Sequence, residues 1–371
     1  MRPVWADIDL AAVSANVRTL AEIAGTPVCA VVKADGYGHG AVPVARAALD
    51  GGAQMLAVAL VAEGTELRDA HIACPVLVLS QASPGEFADL VRHDLDATVY
   101  TASGVDALRA AARSAERGSD RPVGVHLKVD TGMHRVGARP DEALDLARCI
   151  DEAPELALRS VFTHCAVADE PEDPYTAAQL ARFHEVVERI EADGIEVPVR
   201  HAANTAAALA FPEARLDLVR CGIGVYGIAP GDALAGAAPL RPALSLRAEV
   251  SHVKRLRAGE RVSYGLRYTA PADTTLATVP LGYADGVTRS LGARGGEVLV
   301  GGRRRPIAGT VTMDQFLVDC GDLDVAVGDE VVLIGSQGDE TLAVDEWARR
   351  VGTISYEIVC GISTRVRRRY R

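Results

Sequence analysis

Lysine is scarce in this chain: only Lys33, Lys128 and Lys254 among 39 basic residues, the rest being arginine. A chain that writes nearly every cation as arginine keeps lysine where a guanidinium cannot substitute. The clearest such task is amine chemistry, because only an amine can lose its proton and condense with a carbonyl. Lys33 closes the apolar run Val28–Val32 and precedes Ala34-Asp35-Gly36-Tyr37-Gly38-His39-Gly40, which makes it the candidate for Schiff-base formation. The plain alternative is a lysine solvated at the top of a strand. Lys254, within Lys254-Arg255-Leu256-Arg257, reads as a solvated charge.

The elements that would position these residues follow from periodicity. Short Val/Ile/Leu-rich runs alternate with amphipathic segments from Val28 to about Gly227. The predicted strands are Val28–Val32, Met55–Leu60, Val76–Ser80, Ala97–Tyr100, Val123–Val129, Leu158–Thr163, Val197–His201 and Leu218–Val225. Helical segments precede and separate them, among them Ala11–Ala24, Ser103–Arg117, Asp141–Glu152 and Tyr175–Ala192. Parallel strands need crossover helices, and eight such units close into a (β/α)8 TIM-type barrel. An open doubly wound sheet is the competitor, but no G-x-G-x-x-G follows the first strand. After the Gly/Ala/Pro-rich loop 229–242 the texture turns to short alternating segments, with a hairpin expected around Gly301-Gly302 and helical pattern only near Ala343–Arg350. The expected organisation is a barrel domain over 1–235 and an all-β domain over 236–371.

Chemistry in a barrel gathers at the carboxyl ends of its strands. Those ends are polar here. They carry Lys33; the run from Lys128 to Arg135; His164; His201 to Thr205; and Arg220 with Cys221-Gly222-Ile223-Gly224.

Bulk properties restrict the function classes. The chain is 49% hydrophobic but 4% aromatic, so its core is built from Ala, Val, Leu and Ile. A net charge of −11 disfavours capture of nucleic acid or an anionic membrane, and the arginine-rich tail suits a terminal strand over Thr364–Arg367 with a solvated face. No stretch is apolar and long enough to span a bilayer, and the aspartates at 7 and 9 interrupt any signal-peptide core. Seven scattered cysteines, none in a C-x-x-C pair, fit a reducing cytoplasm. Nine histidines show no H-E-x-x-H, so no metal site is expected.

The phrases VVKADGYGHG (31–40), HLKVDTGMHRVG (126–137), FTHCAVAD (162–169), HAANTAAAL (201–209), VRCGIGVYG (219–227), VSYGLRYTA (262–270), PLGYADG (280–286), GTVTMDQ (309–315) and SYEIVC (355–360) together resemble bacterial alanine racemases. The resemblance runs from Val4 to the last strand. It implies a pyridoxal 5′-phosphate enzyme that interconverts L- and D-alanine, supplies D-alanine for peptidoglycan, and works as a homodimer with shared active sites. Carried over residue by residue, Lys33 would hold the cofactor and serve as the base on the D-face, while Tyr264 of the partner subunit would serve the L-face. Tyr37, Asn204, Thr205, Gly222, Ile223 and Tyr356 would bind the cofactor phosphate, with Thr205 standing where the family usually has serine. Arg220 would face the pyridine nitrogen, and His164 would link it to Tyr264. Arg135 and the Met313 amide would take the substrate carboxylate. Lys128 matches a position often carbamylated in the family, and Thr312 stands where cysteine is common.

Three rival readings keep a place. A racemase of wider specificity would act on serine or larger amino acids, although Tyr356 argues for a small side chain. A basic amino-acid decarboxylase of the same fold would be expected to put a carboxylate where Arg220 stands. A non-enzymatic cofactor carrier would lack the β-domain that bears Tyr264 and Met313.

Overall fold

The computed structural model describes residues 2–371. The chain divides into two compact units, one formed by Ala11–Gly36 and Ala41–Arg241, the other by the residues up to Leu10, Tyr37–Gly40 and Pro242–Arg371. Strand β1 (Val4–Ile8) belongs to the second unit. The next eight strands belong to the first: β2 (Val28–Val31), β3 (Met55–Val58), β4 (Val76–Val78), β5 (Asp96–Val99), β6 (Val123–Lys128), β7 (Leu156–Phe162), β8 (Arg200–His201) and β9 (Val219–Cys221).

These eight strands pair in parallel from β8 through β7 down to β2, and β9 pairs with β2. The Arg220 N–H donates to the Ala203 carbonyl at 3.0 Å and the Asp217 N–H to the Arg200 carbonyl at 3.1 Å, so β9 also meets the β8 side and the barrel is nearly closed. Strands β2 to β4 are apolar along their length, as strands covered on both faces must be. The long helix Tyr175–Ala192 turns Leu180, Phe183, Val187 and Ile190 inward at helical spacing and spans the residues its periodicity predicts.

Two predicted strands are shorter than expected. The seventh is reduced to Arg200–His201, and the eighth ends at Cys221 because Gly222 (φ −102°, ψ −96°) breaks the extended chain into a short 3-10 turn, Ile223–Tyr226. Strand β7 carries a bulge: Val125 pairs with Leu158 but His126 pairs with Ser160, so Arg159 is the extra residue.

The second unit is mostly strands. Its main sheet runs Arg303–Pro306, Glu297–Val300, Glu330–Gln337, Leu244–Glu249, β1, Arg367–Tyr370. The predicted hairpin is present, with Gly301 and Gly302 at φ 58° and 71°, the left-handed pair that a two-residue turn requires. The tail strand lies at Arg367–Tyr370, displaced from Thr364–Arg367, because its register follows backbone pairing with β1 and not side-chain alternation. Besides Val344–Val351 a second short helix, Ser355–Cys360, forms where no helical pattern was expected. Among the described residues no helix is long and apolar enough to cross a membrane.

Asn16, in the first helix (Leu10–Ala24), is buried and closes the barrel unit's chain end. Its amide donates to the Val225 and Arg241 carbonyls at 3.1 and 2.9 Å and accepts from the Arg241 N–H at 2.8 Å. Replacing it by alanine strands buried backbone groups, so Asn16→Ala should lower unfolding free energy by about 2–4 kcal/mol, read as an earlier urea transition with unchanged slope.

Candidate active site

Lys33 stands at the carboxyl end of β2, partly buried, at the start of a turn of unusual hand. Ala34, Asp35, Gly36 and Tyr37 follow with φ between 51° and 58°. Three non-glycine residues in the left-handed region cost roughly 1–2 kcal/mol each, so neighbours must impose the turn. They do: the Gly36 N–H donates to the Val32 carbonyl at 2.9 Å, the Ala34 N–H to Glu63 Oε1 at 2.7 Å, and the Ala41 N–H to Asp35 Oδ1 at 2.9 Å. Glu63 also accepts from the Ala59 and Leu60 amides. The strained turn ties Lys33 to the neighbouring strand's loop.

Arg220, on β9, is 3% exposed. Its Nη1 donates to His201 Nδ1 at 2.7 Å; its Nη2 reaches the Thr163 and Ala202 carbonyls at 2.8 and 3.0 Å and His164 Nδ1 at 3.1 Å. The guanidinium also lies over the Phe162 ring, 5.2 Å from its centroid. Nε–H and the second Nη1–H meet no acceptor among the described residues. Burial lowers the Arg220 pKa to about 10, still a cation at neutral pH. The same burial, followed by the Arg220 charge, drives both His164 and His201 well below the ordinary imidazole range, so both rings are neutral acceptors at Nδ1.

Lys128 ends β6, 7% exposed, with its Nζ 5.5 Å from the Phe162 centroid and no hydrogen-bond acceptor. Burial first, then Arg220, Arg135 and Lys33, lower its pKa to about 8. Arg135 is exposed and makes no hydrogen bond or ion pair within the chain. The structure therefore brings Lys33, Lys128, Arg135, His164 and Arg220 into one electrostatic neighbourhood that is strongly positive. Such a cluster calls for an anionic occupant.

An anion cradle lies in the same unit. Asn204 caps the helix Thr205–Ala210 by accepting from the Ala207 N–H at 2.9 Å. Thr205 Oγ1 accepts from the Gly222 and Gly224 amides at 3.1 and 3.4 Å, which locks the two loops together. The buried N–H groups of Thr205 and Ile223 meet no acceptor in the chain. A phosphate would satisfy both, and the hydroxyl that replaces the usual serine is in place.

In the second unit Tyr37 and Tyr356 lie side by side, ring centroids 6.2 Å apart at 49°. Burial, then Tyr356, raises the Tyr37 hydroxyl well above the ordinary phenol range, so it is a neutral donor. Tyr264 is 74% exposed on a turn in which Ser263, Gly265 and Leu266 have positive φ. That turn is pinned by Ser263 Oγ donating to the Thr310 carbonyl at 2.8 Å and Thr310 Oγ1 donating to the Tyr264 carbonyl at 3.1 Å. Met313 is 52% exposed; its carbonyl accepts from the Ala284 N–H at 3.0 Å while its own N–H has no acceptor.

Fold and site together define a class: a parallel barrel joined to a β-rich unit, with a lysine at the first barrel strand and a buried arginine at the last. Two profiles, described as "Alanine racemase, N-terminal domain" and "Alanine racemase, C-terminal domain", match residues 8–230 and 243–370. The alanine racemase of Symbiobacterium thermophilum is 47% identical over all of this chain and 97% of its own length, and alanine racemase 1 of Bacillus subtilis is 43% identical over all of this chain and 93% of its own. The crystal structure of alanine racemase from Streptomyces lavendulae superposes with a TM-score of 0.93 at 40% identity, covering all of this chain and 97% of that one. That of the Bacillus anthracis alanine racemase, solved with bound L-Ala-P, gives 0.92 at 38%, covering all of this chain and 95% of that one. The chain belongs to the alanine racemase family.

Sequence reasoning passed over Glu63, Phe162, Ser160 and His126. Glu63 had no local signal. The other three occupy strand positions buried beside the predicted site residues, and a polar residue inside an otherwise apolar strand is the sign that could have found Ser160 and His126. An amine half-neutral near pH 8 is nucleophilic where ordinary lysines are not. Acylating reagents at low concentration should label Lys128 with a rate that is half-maximal near pH 8; peptide mass spectrometry across a pH series checks this.

Proposed function

We propose that the protein is a pyridoxal 5′-phosphate-dependent alanine racemase that works by two bases on opposite faces of the substrate α-carbon. The observation that carries this is the cationic barrel mouth, where Lys33 accompanies an arginine whose Nε–H is unused and a cradle of unsatisfied backbone amides. These donors fit the cofactor's phosphate, ring nitrogen and phenolic oxygen. Bound there, the cofactor supplies an aldehyde that condenses with amines and a ring that accepts electron density from the α-carbon.

Thr205, Ile223 and Gly222 hold the phosphate; on the family resemblance Asn204, Tyr37 and Tyr356 join them. Arg220 would offer its unused Nε–H to the ring nitrogen and, being a cation that does not give up its proton, would leave that nitrogen unprotonated. Lys33 Nζ moves the proton on the D-face. The Tyr264 hydroxyl of a second copy moves it on the L-face. Forming a phenolate at neutral pH costs roughly 4 kcal/mol from an unperturbed phenol, and the positive site together with the Nε2–H of His164 reduces that cost. Arg135 binds the substrate carboxylate with the Met313 amide. Carbamylation of Lys128 turns a repelled amine into an anion that steadies Arg135.

Homodimerisation is supported by the second unit's surface. Tyr264, Leu266, Tyr283 and Met313 are all exposed, and the Tyr283 N–H donates to the Thr312 carbonyl beside Met313, which places those two close along the backbone. The proposed physiological role is D-alanine supply for peptidoglycan in the cytoplasm.

Chiral analysis of L-alanine incubated with the loaded protein should give D-alanine, and Lys33→Ala should give none. In deuterium oxide, Tyr264→Phe should still exchange the α-hydrogen of D-alanine with retention while L-alanine stays protiated and racemisation falls by at least about a hundredfold. If sites are shared, mixing inactive Lys33→Ala and Tyr264→Phe chains should restore up to roughly a quarter of wild-type activity, since half the dimers carry one intact site. No recovery, with subunit exchange verified, would leave Tyr264 acting within its own chain.

A further inference from the structure

The interior of the barrel on β6 to β9 is not the branched aliphatic filling such strands usually provide. A hydrogen-bonded column starts at Arg220. Nη1 donates to His201 Nδ1 at 2.7 Å, His201 Nε2 stands 2.8 Å from Ser160 Oγ, and Ser160 Oγ stands 2.6 Å from His126 Nδ1. His126 Nε2 lies 3.5 Å from Asp96 Oδ2. Ser160, His126 and His201 are at most 2% exposed.

The directions of these bonds follow by elimination. A guanidinium only donates, so His201 Nδ1 accepts, and a neutral His201 then carries its proton on Nε2. Ser160 accepts that proton and turns its own hydroxyl hydrogen to His126 Nδ1. His126 then faces Asp96 through Nε2 at 3.5 Å, a distance at which their charges interact but no hydrogen bond forms among the described residues. Every donor along the column points away from Arg220. The bulge in β7 creates the register, because in an unbulged strand Arg159 and not Ser160 would pair with His126. Phe162, stacked on His201 at 4.7 Å and 3°, prevents the ring from turning over. The far end meets a cavity of about 570 Å³ that His126 and Asp96 line.

We propose that Ser160, His126 and Asp96 are positioning residues that hold His201 in its Nε2–H tautomer and so orient Arg220 with Nε–H directed to the cofactor. The importance of that orientation rests on the racemase reading above. The column acts through His201 and touches neither substrate nor cofactor.

Histidine-selective 15N NMR on the cofactor-free protein reads the tautomers directly. Wild-type His201 should be neutral with the proton on Nε2. In Ser160→Ala and His126→Leu the two His201 nitrogen shifts should move toward each other, and in the loaded enzyme kcat should fall about tenfold with KM for alanine within twofold. His126→Asn places an amide oxygen near the lost Nδ1 and should restore both signals and kcat; thermal melts of all variants control for folding. A wild-type His201 protonated on Nδ1, unchanged His201 shifts in both disruptive variants, or a His126→Asn protein as impaired as His126→Leu would overturn the proposal. A failure of the racemase reading shows separately, as loaded wild-type protein that forms no D-alanine.

Discussion

Burying one guanidinium governs much of this molecule. A cation removed from water loses several kcal/mol of hydration even after relaxation, and no carboxylate hydrogen-bonds to Arg220 to offset it. The structure answers with two backbone carbonyls, two imidazoles forced neutral, and an aromatic face. Each response constrains something else. Neutral imidazoles need partners on their far nitrogens, which draws Ser160 and His126 into the barrel. An uncompensated charge at the barrel mouth depresses Lys128 and disfavours any further cation nearby. A positive, partly unsatisfied cluster of groups is thereby suited to an anionic ligand.

What could be read from sequence follows from the range over which each feature is decided. Apolar runs of four or five residues are local, and all eight barrel strands lie where those runs predict them. The glycine pair at 301 and 302 is equally local. β8 starts later than its apolar run suggests, and β9 ends earlier because apolar character continues past the point where Gly222 turns the chain. The left-handed turn after Lys33 is only partly legible: Asp35 and Gly36 tolerate positive φ, but Ala34 does not favour it, and its amide is held by Glu63, twenty-nine residues away. The pairing of β1 with strands at Leu244–Glu249 and Arg367–Tyr370 is a long-range choice with no local trace. The site residues were found through nine motif phrases; chemistry alone singled out Lys33 and the polar strand ends, not their roles.

The bulge in β7 illustrates how a small irregularity becomes a functional device. Side chains alternate along a strand, so one inserted residue exchanges which face each later residue presents. Downstream of Arg159 the change reaches Ser160, Phe162 and His164 together. Those three supply the column's middle, the stacking partner of His201 and the second imidazole on Arg220. A single extra residue thus sets three environments, and its removal would disturb all of them at once.

The second unit poses the complementary problem, since it spends structure on residues it does not bury. Tyr264 sits on a turn with three positive-φ neighbours and is fastened by Thr310, yet three quarters of its side chain is bare at 74% exposure. Strain of about 1–3 kcal/mol per such residue is not retained for a solvated tyrosine. Pinning reduces the conformational entropy that association would otherwise take away, so a rigid exposed phenol is prepared to be covered by another surface. The same holds for Met313, whose carbonyl is fixed while its N–H is left free. A donor and a phenol, both preorganised and both uncovered, define a half-site, and the proposed dimer supplies the other half from the barrel of a second copy.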